Sequence, residues 1–199
     1  MHGSVPEGAL CALMGPSGGG KTTLLDLLTG RKDYGQCEGE VLFQGVSIGS
    51  QDEAYINQSG YMRQANTGYL DSLTVLENLV YAAMIRFPAT VEAQSQRVHT
   101  AIQQTSLERS VHTKAGALSG GQKRRLKLAL ELLVDRKIIF LDEPTSGLDA
   151  SASLELVTIL KRLSRKVTLI VAIHQPRLEV WQLFSHAILL SGGRTVYCG

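Results

Sequence analysis

Apolar runs and helical periods alternate along this chain. Ala9-Leu10-Cys11-Ala12-Leu13-Met14 is apolar at every position, the pattern of a strand covered on both faces. A helical pattern follows from Thr22 to Thr29 and is stopped by Gly30. Glu40 to Ile48 reads as strand, antiparallel and peripheral, and Gly60 to Gln64 as a short apolar approach to a lone glutamine. From about Thr74 the period turns helical. Leu76, Leu79, Val80 and Ala83 fall at i, i+3, i+4 and i+7, and Val98, Ala101, Ile102 and Thr105 repeat the spacing more weakly. This helical stretch runs to about Val134 and ends on a helix with Leu126, Ala129, Leu130 and Leu133 along one face. Ile138 to Leu141 is a buried strand, Ala150 to Arg165 an amphipathic helix, and Val167 to Ile173 the last buried strand. Ile188 to Leu190 and Thr195 to Tyr197, separated by Gly192-Gly193, predict a closing hairpin.

Composition adds exclusions more than direction. The 199 residues are 44% hydrophobic and 19% charged, ordinary for one globular domain with a real core. Lys+Arg 20 against Asp+Glu 18 leaves a net charge of +2, too little to argue for nucleic acid or an anionic surface. Lys123-Arg124-Arg125 and Lys127 therefore read as a solvated helix face, not as a nucleic-acid patch. Cys11, Cys37 and Cys198 are scattered and read as free thiols of a reducing compartment. No run approaches the 18 or so apolar residues of a membrane-spanning helix, and no charged-then-apolar leader is visible.

The chemistry is carried by four short segments. Gly15-Pro16-Ser17-Gly18-Gly19-Gly20-Lys21-Thr22 is a complete G-x-x-x-x-G-K-[ST] phosphate loop between a strand and a helix. Its glycines let successive backbone N–H groups form a nest at a helix N-terminus, where anions are favoured. Lys21 is placed to reach the β- and γ-phosphates and the Thr22 hydroxyl to bind Mg²⁺, so a bound nucleoside triphosphate is expected. Leu118-Ser119-Gly120-Gly121-Gln122 opens another helix with a second set of outward donors. One nucleotide does not need two cradles from one chain, so the second is expected to close on a nucleotide held by a second subunit. Asp142 and Glu143 stand at the carboxyl end of a buried strand, the ligand edge of an open α/β sheet. Asp142 is then placed for the Mg²⁺ and Glu143 to polarise a water for attack on the γ-phosphate. His174 ends the next buried strand at the same edge and is expected to contact the γ-phosphate.

In this order the motifs resemble the nucleotide-binding domain of ABC transporters, over nearly the whole chain. The resemblance implies an α/β fold: a P-loop NTPase core with a parallel sheet flanked by helices, an inserted α-helical signature subdomain and a small peripheral antiparallel β part. One domain over 1–199 is expected, with 1–65 and 135–199 as core and 66–134 as helical subdomain. Gly15 through Thr23 (including Pro16, Ser17, Gly18, Gly19, Gly20, Lys21 and Thr22) resembles the Walker A segment and Ser119, Gly120, Gly121 and Gln122 the signature, all implied to bind ATP. Glu143, His174 and Gln64 correspond to the catalytic glutamate, switch histidine and Q-loop glutamine, and Asp149 to the D-loop aspartate. Thr22, Gln64 and Asp142 are implied to hold Mg²⁺. The implied partners are a second nucleotide-binding domain, head to tail, and a transmembrane domain that places the chain at a membrane, with no nucleic acid. ATP hydrolysis would power export through that membrane domain; a soluble non-transporting ATPase of the same family, or a nucleotide-binding remnant, are the alternatives. Gly30-Arg31-Lys32, Leu73 to Leu79 and Ile173-His174-Gln175-Pro176-Arg177 are similar to the G subfamily, although many members carry Glu where this chain has Gln122. Against that pattern, the N-terminal strand or strands of the family, with an aromatic that stacks on adenine, and the membrane domain after Gly199 are expected to be missing.

Overall fold

The computed structural model of the chain describes residues 2–31, 38–49, 52–64 and 67–199. Lys32 and Cys37 lie outside the described residues. Eight strands and seven α-helices are found among the described residues. In chain order they are β1 (Leu10–Met14), α1 (Lys21–Leu28), β2 (Val41–Phe43), β3 (Val46–Ile48), α2 (Glu53–Gln58), β4 (Ser59–Met62), α3 (Val75–Arg86) and α4 (Val91–Gln104). There follow α5 (Gly120–Glu131), β5 (Ile138–Asp142), α6 (Ala150–Leu163), β6 (Thr168–Ala172), α7 (Leu178–Trp181), β7 (His186–Ser191) and β8 (Arg194–Cys198). No helix among them is long and apolar enough to cross a membrane.

Six strands form one sheet in the order β4-β5-β6-β1-β7-β8, parallel throughout except for β8, which returns antiparallel along β7. The uninterrupted apolar runs follow from burial on both faces. Leu10 and Ala12, Ile139 and Leu141, and Leu169 and Val171 point to the face covered by α5, α6 and α7. The alternate residues Cys11 and Leu13, Phe140, Ile170 and Ala172 point to the other face, where Leu25 of α1 packs on them. Helix α6 begins on Asp149, whose carboxylate accepts the Ala152 N–H, and buries Leu156, Val157, Ile159, Leu160 and Leu163 on the sheet.

A third cluster draws every buried member from the stretch between Val75 and Leu133, on α3, α4 and α5 and two short 3-10 turns between the last two. Helix α3 starts with a capping box: Glu77 N–H donates to the Thr74 hydroxyl and the Glu77 carboxylate accepts the Thr74 N–H. The Thr74 N–H and the Thr74 hydroxyl, both donating to the carboxylate, hold the Glu77 carboxyl below its ordinary pKa.

Three readings of the sequence change. The single strand expected over Glu40 to Ile48 is a two-strand hairpin, β2 with β3, because Gln44 and Gly45 take φ of 53° and 80° and turn the chain tightly. Gly60 to Met62 is part of β4, an edge strand paired in parallel with β5. The basic run of α5 is only partly solvated: Arg124 and Lys127 are 8% and 6% exposed.

Phe140→Ala, which empties the centre of β5 where the side chain is 1% exposed, is expected to cost about 3–5 kcal/mol. Thr74→Ala, at a partly exposed cap, is expected to cost about 1 kcal/mol. Chemical denaturation of both variants measures the difference.

Candidate functional site

Parallel strands end at one edge, and the sequence motifs other than Leu118 to Gln122 lie there. The register is the reason: Leu13 of β1 and Asp142 of β5 both pair with Ala172 of β6, and Met62 of β4 pairs with Leu141. Residues just past these positions (Gly15, Gln64, Glu143 and His174) therefore emerge along one rim.

The loop after β1 is shaped by close backbone approach. A Cβ on Gly15 would lie 2.5 Å from the Leu190 carbonyl oxygen of β7, and one on Gly19 would lie 2.9 Å from the Pro16 oxygen. Gly18 and Gly20 take φ of 73° and 95°, and Gly20 leads into α1 without any side-chain cap. The first-turn N–H groups of α1 are thus left to an outside acceptor. The Lys21 ammonium is held in the loop's hollow, donating to the carbonyls of Gly15 (2.9 Å) and Pro16 (3.1 Å). With three N–H donors it keeps one for a further acceptor. Pro16, Ser17, Gly18, Thr22 and Thr23 are exposed around it.

Across the rim the Thr22 hydroxyl donates to Asp142, 3.0 Å from Oδ2. The Tyr61 hydroxyl reaches the same oxygen at 3.5 Å. Burial raises the Asp142 carboxyl above the usual range, the Thr22 bond opposes this, and the neighbouring Glu143 charge adds to it. No Lys or Arg pairs with either carboxylate among the described residues.

Glu143 has a left-handed backbone, φ 46°, fixed by its N–H donating to the Ala172 carbonyl at 3.0 Å. This conformation costs a non-glycine residue energy. The Gln64 amide meets it, Nε2 lying 3.0 Å from Glu143 Oε2. His174 is exposed after β6, makes no hydrogen bond among the described residues, and precedes Gln175, itself at φ 44°.

Ser119 and the two glycines open α5 some distance along the chain from this rim. The Ser119 hydroxyl accepts the Gln122 N–H, and the Gln122 side chain returns to the Ser119 N–H (2.9 Å) and to the Ser110 hydroxyl (2.9 Å). The Gln122 amide is therefore spent inside the molecule, while Ser119 and Gly120 are exposed. Gly120 and Gly121 lie against Leu148 and Ala152, so the head of α5 abuts the start of α6 and its Asp149 cap. The structure pairs Thr22 with Asp142 and Gln64 with Glu143, while Lys21 is held by the loop carbonyls; among the described residues no hydrogen bond or ion pair joins Ser119, Gly120, Gly121 or Asp149 to them.

The positive φ of Glu143 and the reach of Tyr61 were not legible in the sequence. A tyrosine three residues before the glutamine was visible; its contact depends on β4 pairing with β5.

Residues 1–146 match the sequence profile of the ABC transporter family. ABC transporter G family member 24 of Dictyostelium discoideum is 40% identical over 211 residues, covering 100% of this chain and 18% of that protein. The broad substrate specificity ATP-binding cassette transporter ABCG2 of Bos taurus is 38% identical over 203 residues, covering 98% of this chain and 30% of that protein. The chain thus spans less than a third of the length of either relative. Among solved structures, cbiO1 from Clostridium perfringens, part of the ABC transporter complex cbiONQ, superposes with a TM-score of 0.87 at 26% identity, covering 98% of this chain and 78% of that one. A dimeric ATP-binding cassette in a post-hydrolysis state, bound to ADP and Pi, superposes with a TM-score of 0.79 at 26% identity, covering 98% and 87%.

Gly15→Ala is expected to displace the loop and weaken nucleotide binding by about tenfold or more, since its Cβ meets backbone that cannot yield. Gly18→Ala, with nothing within 4 Å of its Cβ but a positive φ, is expected to be milder, on the order of 1 kcal/mol. Titration with a fluorescent ATP analogue measures both.

Proposed function

The chain belongs to the ABC transporter family as an ATPase domain, and on that premise we propose how its residues bind and cleave ATP and what the cleavage drives. The observation that carries the reading is the rim itself: a phosphate-loop lysine, a hydroxyl–carboxylate pair and a glutamine–glutamate pair at the ends of neighbouring parallel strands.

In this reading the loop Gly15 to Thr23 wraps the β- and γ-phosphates, with the free N–H groups of α1 and the Lys21 ammonium as donors. Mg²⁺ fits the donor set. Thr22 and Asp142 offer only hard oxygens, and among the described residues no cationic side chain pairs with either of the two adjacent carboxylates. No cluster of three or more His, Cys, Asp or Glu among the described residues could hold a metal by itself, which suits an ion that takes remaining ligands from phosphate and water. Thr22, Asp142 and the Gln64 amide would hold it, and it would supply neutralisation of phosphate charge. Glu143 orients and polarises the attacking water, its carboxylate presented by the strained backbone. Gln64 holds that carboxylate by a direct hydrogen bond, and His174 contacts the γ-phosphate from the end of β6.

Ser119, Gly120 and Gly121, with Gln122 as the brace of their turn, serve a nucleotide bound to a second copy or a related domain, and Asp149 lies at the same interface. The exposure of Ser119, Gly120 and Asp149, and the lack of a hydrogen bond from them to the rim among the described residues, support this composite arrangement. The stretch 66–134 acts as the helical subdomain of the core formed by 1–65 and 135–199. Its helix α3 exposes Tyr81, Met84 and Ile85 (53%, 58% and 82%), an apolar face suited to a membrane domain. Hydrolysis in the dimer would then drive transport, in the export direction, at the cytoplasmic face of a membrane.

Glu143→Gln keeps the shape of the side chain and removes the carboxylate. It is expected to lower turnover by at least about a hundredfold while ATP still binds, and to lock two copies together in Mg-ATP. Adding Ser119→Arg is expected to release that dimer by filling the second cradle. Light scattering with and without Mg-ATP reads both outcomes, and a monomeric Glu143→Gln protein that binds ATP would overturn the composite site.

A further inference from the structure

Helix α5 carries a buried polar face that the reading above does not use. Strand β4 ends at Met62 and among the described residues is paired on one side only, with β5. The next two carbonyls, of Arg63 and Gln64, lie beyond that ladder. They are taken up by α5 instead: the Lys127 ammonium donates to the Arg63 carbonyl and the Arg124 guanidinium to the Gln64 carbonyl. The two donors are three residues apart, so they stand on one face of the helix, one turn apart. Both are nearly buried, and burial pushes the Lys127 amine down to about 8, with the Arg124 charge adding to the shift and Glu131 opposing it. Burying two cations is costly. A helix that only needed to pack would carry apolar side chains there, as it does at Leu126, Leu128 and Ala129.

The same face continues towards α3. Glu131, one turn after Lys127, lies 3.7 Å from the Arg86 guanidinium, which also donates to the Leu130 carbonyl at 3.3 Å. A Cβ on Gly60 of β4 would come within 3.1 Å of the Glu131 carboxylate, so β4 is pressed directly onto this face. At its other end α5 begins with Ser119 and Gly120. One rigid helix thus joins the exposed cradle, the backbone of Gln64 and the last turn of α3.

We propose that Arg124 and Lys127 are positioning residues that clamp the Gln64 backbone and hold its side chain on Glu143, so that the head of α5 sets the hydrolytic geometry of its own chain. The clamp rests on the proposed roles of Gln64 and Glu143. A charge-assisted bond to each carbonyl fixes the backbone on both sides of the Gln64 α-carbon. The Gln64–Glu143 bond of 3.0 Å is lost if that backbone moves by about an ångström. A phosphate pulling on the Ser119 end would shift α5 and carry Gln64 with it.

The test is a double-mutant cycle on ATP turnover in the intact protein. Lys127→Met keeps the length of the stem and removes the donor. It is expected to lower kcat by about tenfold with KM for ATP changed less than about twofold, since the clamp touches no nucleotide. Combined with Gln64→Ala it should add almost nothing to the loss from Gln64→Ala alone, because both act through the same contact. Arg124→Lys, which keeps charge and a donor, should retain turnover within about threefold, whereas Arg124→Met should lose about tenfold. Should Lys127→Met fail to fold, the Arg124 pair carries the same cycle. If Gln64→Ala lowers turnover and the second substitution multiplies the loss in full, the Gln64 reading stands and the clamp is overturned. If Gln64→Ala leaves turnover unchanged, the reading of Gln64 falls and the clamp falls with it.

Discussion

The structure depends on the register of a parallel sheet buried on both faces. With apolar side chains required above and below, β1, β5 and β6 cannot slip by one residue without exchanging which side chains meet α1 and which meet α6. That constraint aligns the strand ends. Asp142 stands level with Ala172, and Met62 with Leu141, so the chain beyond β4 and the chain beyond β5 leave the sheet side by side. The Gln64–Glu143 contact is the continuation of that alignment past the last ladder hydrogen bond.

Strain and crowding concentrate at the same edge. Gly15 is pressed against β7, Glu143 and Gln175 take left-handed backbones, and the loop between Gly15 and Lys21 turns on glycines. The hydrophobic cores on either side supply the rigidity that keeps such conformations populated. The helical cluster between Val75 and Leu133 has its own apolar interior, rests on the sheet core through Leu128 and Leu132, and meets the rim through the polar groups of Arg124 and Lys127.

Much of this was legible as pattern. Strands β1, β5 and β6 announced themselves by uninterrupted apolar runs, α6 by Leu156, Ile159, Leu160 and Leu163, and the closing hairpin by Gly192-Gly193. The family was legible too, because its motifs are short, ordered and placed at element ends. The β2–β3 hairpin was not, since its turn is Gln44-Gly45 and a glutamine at positive φ gives no signal. Strand β4 was hidden by its brevity and by Gly60, a residue that weakens a strand unless something else needs the space; here Glu131 does.

The sequence alone determined which loop would turn on glycines into a helix, which carboxylates would stand at a strand end, and which helices would pack on a sheet. These properties are local: they follow from side-chain size, periodicity and the φ range of glycine. The tertiary structure decided the rest. Arg124 and Lys127 read as solvated because charge is usually exposed. Only the approach of β4 to α5 supplied the carbonyls that make their burial tolerable. Glu143 could be named from its position after β5, but the bond of its N–H to the Ala172 carbonyl of another strand could not. Contacts between residues sixty to eighty positions apart in the chain leave no periodic trace, because what fixes them is the register of the sheet that brings them together.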